Sequence, residues 1–251
     1  MSKIKTNYPL REYNSLLLNH KAQYFCEVYS EEESSEFIDF CKNRKLPIQI
    51  LGSGTNVVLS KDIAGGVLKV SIPGKKIHGD EIIIGAGENW HQIVLWSLKN
   101  GLYGLENLSL IPGTAGAAPV QNIGAYGEEI SSKLLSLEAV NTMTNEIISF
   151  DRESCAFNYR ESQFKNNNDF LILSIKLQLS RIPVINTSYE SLNTYLIKDD
   201  IDPEKATPNQ VCRAVSAIRE RILPDPSTEP NVGSFFKNLV LDKKSFKKLK
   251  N

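Results

Sequence analysis

The sequence is poor in the residues from which metal sites and disulfides are built. It has only four cysteines and three histidines, all widely separated, and it has no Cys-x-x-Cys pair. Scattered ligands of this kind argue against a zinc site, and unpaired spacing is typical of reduced thiols. We therefore expect no metal, and we expect four free thiols in the core: Cys26, Cys41, Cys155 and Cys212.

Net charge and long apolar runs are also lacking. The 29 Lys and Arg residues balance the 29 Asp and Glu residues, so no overall field attracts nucleic acid or a membrane surface. No apolar run approaches the length of a membrane span, and the first ten residues lack the apolar core of a signal peptide. With an ordinary apolar fraction of 41%, we expect a monomeric, cytoplasmic, globular chain without nucleic-acid or membrane partners.

Capping residues and apolar spacing predict three helices. One begins at Ser30 and ends before Pro47, a second spans residues 88–100 and is closed by Gly101, and a third begins at Thr207. A fourth, capped by Asp242, is cut short by the end of the chain, unless this end is a frayed basic tail. Strands are predicted at residues 47–51, 67–70, 81–84, 136–142, 147–150 and 170–179, and residues 181–202 are predicted to be a polar connection.

The stretch GLYGLENLSLIPGTAGAAPVQNIGAYG, residues 101–127, is the most informative part of the chain. It contains six glycines and two prolines, and Glu106 is its only ionisable acid. A solvent loop of this length would carry more charge, and helices or strands do not tolerate glycine at this density. We infer a buried, irregular backbone that presents its N–H groups to a bulky ligand.

Three glycine-bearing turns follow apolar strands, at residues 52–56 (GSGTN), 85–87 (GAG) and 112–116 (PGTAG). Successive backbone N–H groups in such turns form anion sites. None matches the Rossmann or P-loop pattern. One such turn alone is more often a tight structural turn, but three of them beside the uncharged stretch favour a dinucleotide cofactor with a pyrophosphate.

Five motifs in order then resemble one family. GSGTN, GAGENWHQIV, GLENLSLIPGTAGAAPVQNIGAYG, FNYR (residues 157–160) and GSFFKN (residues 233–238) are similar to the motifs of UDP-N-acetylenolpyruvoylglucosamine reductases, the MurB enzymes of peptidoglycan precursor synthesis. The resemblance runs from about residue 10 to residue 240. Residues 187–192 resemble the extra tyrosine loop of one of the two subtypes.

The resemblance implies an α+β fold with an FAD-binding domain of the vanillyl-alcohol-oxidase (PCMH) type. This domain would occupy residues 1–182, in subdomains of about 1–70 and 71–182. A connection with the tyrosine loop would follow at 183–202, and an incomplete α+β substrate-binding domain at 203–251. The family also has a longer C-terminal region with a late acidic residue. The chain is thus expected to be a truncated enzyme, or alternatively a degraded copy that still holds FAD.

The implied reaction has two steps. NADPH reduces non-covalent FAD and departs, and flavin N5 then delivers hydride to the far carbon of the enolpyruvyl-UDP-sugar. The carboxylate of the substrate needs a fixed cation, for which Arg160 is the matching residue, and Ser234 matches the proton donor. Without the motifs, we would expect Arg160 to form a surface salt bridge with Glu161 or Asp151, and Ser234 to be only a small residue that begins a strand.

The remaining site residues are also carried over by motif. Substrate contacts are expected from Tyr189, Lys237 and Asn238. Relatives of this fold that bind flavin covalently carry a His or Cys in the loop that here holds Thr55. We therefore expect FAD to be bound non-covalently. FAD contacts are expected from Gly52, Ser53, Gly54, Thr55, Asn56, Gly113, Thr114, Gly116, Ala117, Gln121, Asn122, Gly124 and Ala125.

Two substitutions depart from the family pattern. Ile222 stands where a lysine is usual, and it fits the apolar stripe of the predicted helix, so that Arg219 or Arg221 would have to replace the lost contact. Leu239 stands where proline is common, which we expect to be neutral. Two other functions stay open: a flavin-binding module without turnover, and another oxidoreductase of the same fold, such as an FAD-dependent alcohol oxidase.

Overall fold

The computed structural model describes residues 3–165, 167, 169–226, 228–239 and 241–250. Apart from two longer helices, the first three quarters of the chain are built mainly of strands, and helices dominate the last quarter. The strands are β1 (Lys5–Pro9), β2 (Lys21–Val28), β3 (Ile48–Leu51), β4 (Ile63–Val70), β5 (Lys75–His78), β6 (Glu81–Gly85), β7 (Gly124–Ala125), β8 (Glu128–Glu129), β9 (Leu134–Asn141), β10 (Ile147–Asp151) and β11 (Phe170–Gln178). The helices are α1 (Glu31–Lys42), α2 (Trp90–Lys99), α3 (Glu190–Lys198), α4 (Pro208–Ile222) and α5 (Lys243–Lys250).

The first sheet has the order β1-β2-β4-β3, in which β4 runs parallel to both of its neighbours. Helix α1 covers it. The Ser30 hydroxyl accepts the N–H of Glu33, as the capping pattern predicts, and Phe37 and Cys41 are buried. A Cβ atom on Gly66 of β4 would lie only 2.5 Å from the sulfur of Cys41. Glycine at this position therefore lets the helix pack closely on the sheet.

The second sheet is antiparallel, with the order β10-β9-β11-β6-β5. The predicted hairpin is confirmed as β9 and β10, paired from Ile147 opposite Val140 to Asp151 opposite Ser136. The predicted long strand is confirmed as β11, the central strand of this sheet. Its residues Leu171, Ile175 and Leu177 are fully buried in the main hydrophobic core. The α+β fold class is confirmed, and the sheets meet the glycine-rich turns at their shared boundary.

The predicted polar connection at residues 181–202 contains a helix that the sequence did not predict, α3. Leu192 and Leu196, four residues apart, are fully buried against α4 in a small second core. The helix is short and begins at Tyr189 without a side-chain cap, so its sequence carries little helical signal. Helix α4 begins as predicted, with a complete capping box between Thr207 and Gln210.

The last described segment is largely exposed. Helix α5 begins after Asp242 as predicted, but Phe246 and Leu249 are 57% and 73% exposed, so they do not form a buried face. The four cysteines are free and buried, as expected. Among the helices of the described residues, none is both long and apolar enough to cross a lipid bilayer.

Candidate functional site

A cleft of about 330 Å³ opens between the turn after β3 and the turn at residues 112–117. Its floor and sides are largely apolar and include Val70, Trp90, Phe170 and Ile172. Ten of the thirteen expected cofactor contacts line it: Gly52, Ser53, Gly54, Thr55, Asn56, Gly113, Thr114, Gly116, Ala117 and Gln121. The structure thus brings together two turns that lie 60 residues apart in the sequence.

The two turns contact each other directly. Asn56 Nδ2 donates to Gln121 Oε1 at 2.8 Å, and a Cβ atom on Gly52 would lie 3.1 Å from the hydroxyl of Thr114. Gly54 has φ +66°, and a Cβ atom there would overlap the carbonyl oxygen of Tyr13. Alanine is excluded at Gly54 by both backbone conformation and space. The local backbone approach therefore accounts for the glycines of the first turn.

The cleft fits a flavin dinucleotide by its donors and its shape. Within the described part of the chain, the N–H groups of residues 53–56 donate to no protein acceptor. Free, neighbouring N–H groups on a glycine-rich turn are suited to a pyrophosphate. The cleft continues between apolar side chains, which suit a flat ring system. The residues present thus match the cofactor that the sequence predicts.

The loop that carries the 101–127 stretch is anchored from two helices. On α2, the indole nitrogen of Trp90 donates to the carbonyl oxygen of Leu108 at 2.9 Å, and His91 Nδ1 accepts the N–H of Leu110 at 3.0 Å. On α4, Arg219 Nε donates to the carbonyl oxygen of Leu110 at 3.3 Å. Burial lowers the pKa of His91 and also that of Arg219.

The other three expected cofactor contacts lie outside the cleft. Asn122 is buried, and its side chain bonds Glu129, the carbonyl of Asn158 and the N–H of Ser131. The carbonyl oxygen of Gly124 accepts from Arg160, and Ala125 is the next residue of the short ladder β7–β8. Asn122 and Gly124 thus contact Arg160, and none of the three residues lines the cleft.

Arg160 is held by groups that sequence reasoning did not identify. Its Nη1 lies 3.2 Å from Glu129 Oε1 and 3.3 Å from the carbonyl oxygen of Asn122, and its Nη2 donates to the carbonyl of Gly124. The alternative reading, a salt bridge to Glu161 or Asp151, is wrong, because the ion-pair partner is Glu129. The one available signal was that two acidic residues, Glu128 and Glu129, follow the uncharged stretch.

The GSFFKN segment lies beside the FNYR motif. Lys237 Nζ is 3.2 Å from Glu161 Oε2 and 5.6 Å from the centre of the Tyr159 ring, which tethers the two motifs. Ser234 and Asn238 are exposed. The neighbouring Phe235 and Phe236 are 40% and 88% exposed, so they are not packed side chains that could hold Ser234 in place.

Tyr189 lies at the edge of the same region. Its ring packs edge-on against Tyr126, with the ring centres 5.4 Å apart, and about half of its surface is exposed.

Ile222, predicted to belong to the apolar stripe of α4, is 63% exposed because the helix ends there and the chain turns away. Arg219, one turn earlier, is partly buried close to Tyr126, so of the two suggested replacements it is the one nearest the loop.

Comparisons with known proteins agree with this site. A family model described as an FAD binding domain matches residues 22–151. The UDP-N-acetylenolpyruvoylglucosamine reductase of Pseudomonas fluorescens is 40% identical over 244 residues, which are 95% of this chain and 71% of the relative. That of Flavobacterium johnsoniae is 42% identical, over 98% of this chain and 74% of the relative.

A solved structure shows the same fold. The crystal structure of UDP-N-acetylenolpyruvylglucosamine reductase (MurB) from Thermus caldophilus superposes with a TM-score of 0.65 and 21% identity, covering 88% of this chain and 70% of that one. At this identity the likeness bears on the fold alone. Together with the cleft and the two bacterial relatives, it leads to one conclusion: the chain belongs to the UDP-N-acetylenolpyruvoylglucosamine reductase family, a family of flavoprotein oxidoreductases.

Proposed function

We propose that this protein uses NADPH and FAD to reduce the enolpyruvyl ether of UDP-N-acetylglucosamine to UDP-N-acetylmuramate, a precursor of peptidoglycan. The observation that carries the proposal is the cleft, whose turn at residues 53–56 has backbone N–H groups that donate to no acceptor among the described residues and are suited to a pyrophosphate. The substrate class comes from the relatives, which are named for this reduction. The reaction would take place in the cytoplasm, in support of cell-wall growth, shape and division.

FAD, when bound, supplies the hydride chemistry, accepting from NADPH and donating to the enolpyruvyl group. The protein must then stabilise the negative charge that develops on the carboxylate of the substrate. Arg160 is suited to this task because a guanidinium matches a carboxylate with paired N–H donors. A fixed donor of this kind lowers a barrier by roughly 3–4 kcal/mol when it resembles an oxyanion donor.

Ser234 would deliver the proton that completes the reduction. The tether between Lys237 and Glu161 holds its segment beside the motif that carries Arg160. A serine hydroxyl is a weak acid, so it requires help from neighbouring groups in the complex with substrate. Lys237 and Asn238 would orient the substrate or the nicotinamide, and Tyr189 would close over the diphosphate from its place on Tyr126.

We also propose how the chain divides into functional domains. Residues 1–182 would form the non-covalent FAD-binding domain and residues 203–251 the start of the substrate-binding domain, joined by the segment with the tyrosine loop. The boundary between the two subdomains, near residue 70, coincides with the end of β4 and of the first sheet.

The second candidate is a flavin-binding module without turnover. It is favoured by the exposure of Ser234 and Phe236, because a working proton donor needs a covered position. In this case NADPH would still reduce the flavin, but the UDP-sugar would not reoxidise it.

One spectroscopic titration separates the candidates. The purified protein is examined for a flavin absorption spectrum, and NADPH and then the enolpyruvyl-UDP-sugar are added without oxygen. We expect NADPH to bleach the flavin band and the sugar to restore it. A band that is bleached and stays bleached after sugar addition would identify the module without turnover, and a protein that binds no flavin would contradict both.

A further inference from the structure

We propose that Glu129 is the positioning residue for Arg160: its carboxylate fixes the guanidinium so that the remaining N–H edge faces the substrate carboxylate. The inference rests on the function proposed for Arg160 above. It assigns to Glu129 a role that none of the motif residues supplies.

The carboxylate of Glu129 joins two residues that are distant in sequence. Oε1 lies 3.2 Å from Arg160 Nη1, and Oε2 accepts from Asn122 Nδ2 at 2.8 Å. The carbonyl oxygens of Asn122 and Gly124 accept from the same guanidinium. Both Nη atoms are thereby engaged by fixed acceptors. Among the described residues, Arg160 Nε has no acceptor, which leaves the Nε edge of the planar group for a ligand.

The backbone around Glu129 is held in an unfavourable conformation. Asn122, Tyr126 and Arg160 have φ values of +45°, +48° and +51°. Side chains with a Cβ atom avoid this region, and such residues persist only where the surroundings over-determine them. The buried Asn122 amide, with bonds to Glu129, the Asn158 carbonyl and the Ser131 N–H, is one such determinant. Conformations of this kind cluster at functional sites.

Gly124 leaves room for the guanidinium. A Cβ atom on Gly124 would lie 2.6 Å from Arg160 Nη1 and 2.8 Å from Glu129 Cγ. Any larger residue would push the guanidinium away from Glu129. The glycine of the PVQNIGAYG motif therefore has a role at Arg160, in addition to or instead of a contact to the cofactor.

The main effect of Glu129 is geometric rather than electrostatic. The side chains of Arg160 and Glu129 are 28% and 35% exposed, so solvent screens the attraction between their charges. What the pair supplies is orientation, because a planar group whose two Nη atoms are held by fixed acceptors can present only its Nε edge, that is, the Nε–H and the second N–H of Nη2, to the carboxylate. Small errors in the position of a catalytic donor reduce rates strongly.

The first test measures both half-reactions in the FAD-bound protein. In Glu129→Gln, we expect flavin reduction by NADPH to stay within about twofold of the wild-type rate, and reoxidation by the enolpyruvyl-UDP-sugar to slow by about tenfold or more. Glu128→Gln is the matched control, because Glu128 accepts from Asn186 and Ser132 and does not touch Arg160. Reoxidation in Glu129→Gln at the wild-type rate would overturn the proposal.

A double-mutant cycle separates positioning from an independent structural effect. If Glu129 acts through Arg160, the double variant Glu129→Gln, Arg160→Lys should reoxidise no more than about twofold slower than Arg160→Lys alone. Losses that multiply would show that the two residues act independently, and this result would also overturn the proposal.

The second test does not require turnover, so it remains decisive if the proposed reductase activity is absent. In FAD-bound protein labelled with ¹⁵N-arginine, the Arg160 side-chain signals are assigned by their loss in Arg160→Lys. We expect slow rotation about the Cζ–N bonds in the wild type and in Glu128→Gln, and rotation at least about fivefold faster in Glu129→Gln. Equal rotation in Glu129→Gln and wild type would show that Glu129 does not hold the guanidinium.

Discussion

Ser234 should be required for only one of the two half-reactions of the proposed function. Its hydroxyl is needed only when the carbon of the substrate takes up a proton, and flavin reduction by NADPH does not involve that step. In Ser234→Ala we expect flavin reduction to be unchanged and product formation to slow by about 10²–10⁴-fold. Stopped-flow absorbance measures both phases. The exposed Ser60 supplies a control as Ser60→Ala, and equal damage to both phases in Ser234→Ala would indicate a structural role.

Gly113 provides a second prediction at this scale. Its φ is +124°, and a Cβ atom there would lie 3.6 Å from Thr55 Oγ1, at the cleft that Gly113 itself lines. Gly113→Ala should therefore weaken FAD binding by about tenfold, which corresponds to about 1.4 kcal/mol. Gly74→Ala is the control, since Gly74 has a similar φ of +141° with no atom within 4 Å of the added Cβ.

Flavin fluorescence titration gives the two dissociation constants. Backbone strain lowers the stability of both variants, but only Gly113→Ala adds an atom at the cofactor. Similar affinities in the two variants would show that the cleft at Gly113 is not where FAD binds.

Among the secondary-structure elements, α2 links the cleft loop to the pH dependence of stability. His91 on α2 accepts the N–H of Leu110 through Nδ1, and burial lowers its pKa although Glu220 opposes the shift. Its folded-state pKa is thus below the value of about 6.5 for an exposed histidine. As the pH falls below about 6.5 the unfolded chain binds more protons than the folded one, so the free energy of unfolding decreases. Above about pH 6.5 this contribution is fully present.

Urea unfolding between pH 7.5 and 5.5 tests this prediction. His91→Asn keeps an acceptor for the N–H of Leu110 but does not titrate, so its stability should fall less steeply with decreasing pH than that of the wild type. The control is His78→Asn, which alters an exposed histidine on β5. Its free energy of unfolding should fall with decreasing pH as steeply as that of the wild type. Parallel curves for His91→Asn and wild type would exclude His91 as the cause.

The elements also show what the sequence can and cannot reveal. Helices α1 and α4 were predictable because Ser30 and Thr207 cap them by side-chain hydrogen bonds, and β11 because buried residues alternate along it. Strands β1 and β5 were not predicted, since they are edge strands with mostly exposed residues. Strand β2 was also missed. The cofactor site in the cleft could be predicted from the spacing of the glycines. The pairing of Arg160 with Glu129 could not, because it depends on a backbone turn that no local sequence pattern encodes.

For the molecule as a whole, the described residues of the C-terminal segment do not line the cleft. The described residues that do line it all lie between Gln49 and Ile172. The segment after α4 is joined to the remainder by contacts such as Ser15 to the Asn231 carbonyl and Lys237 to Glu161, and its large apolar side chains are exposed. Flavin binding and the integrity of this segment should therefore be separable.

Limited digestion with chymotrypsin tests this separation. Phe236 is 88% exposed, compared with 57% for Phe246, 51% for Tyr29 and 49% for Tyr189, so the first cut should fall at Phe236 or at its neighbour Phe235. We expect the large product to keep its flavin absorbance and the affinity of the intact protein within about threefold, because no lining residue is removed. Bound FAD should not protect these sites. Loss of flavin together with the first cut would mean that the C-terminal segment contributes to the cofactor site, and that the FAD-binding domain does not end before it.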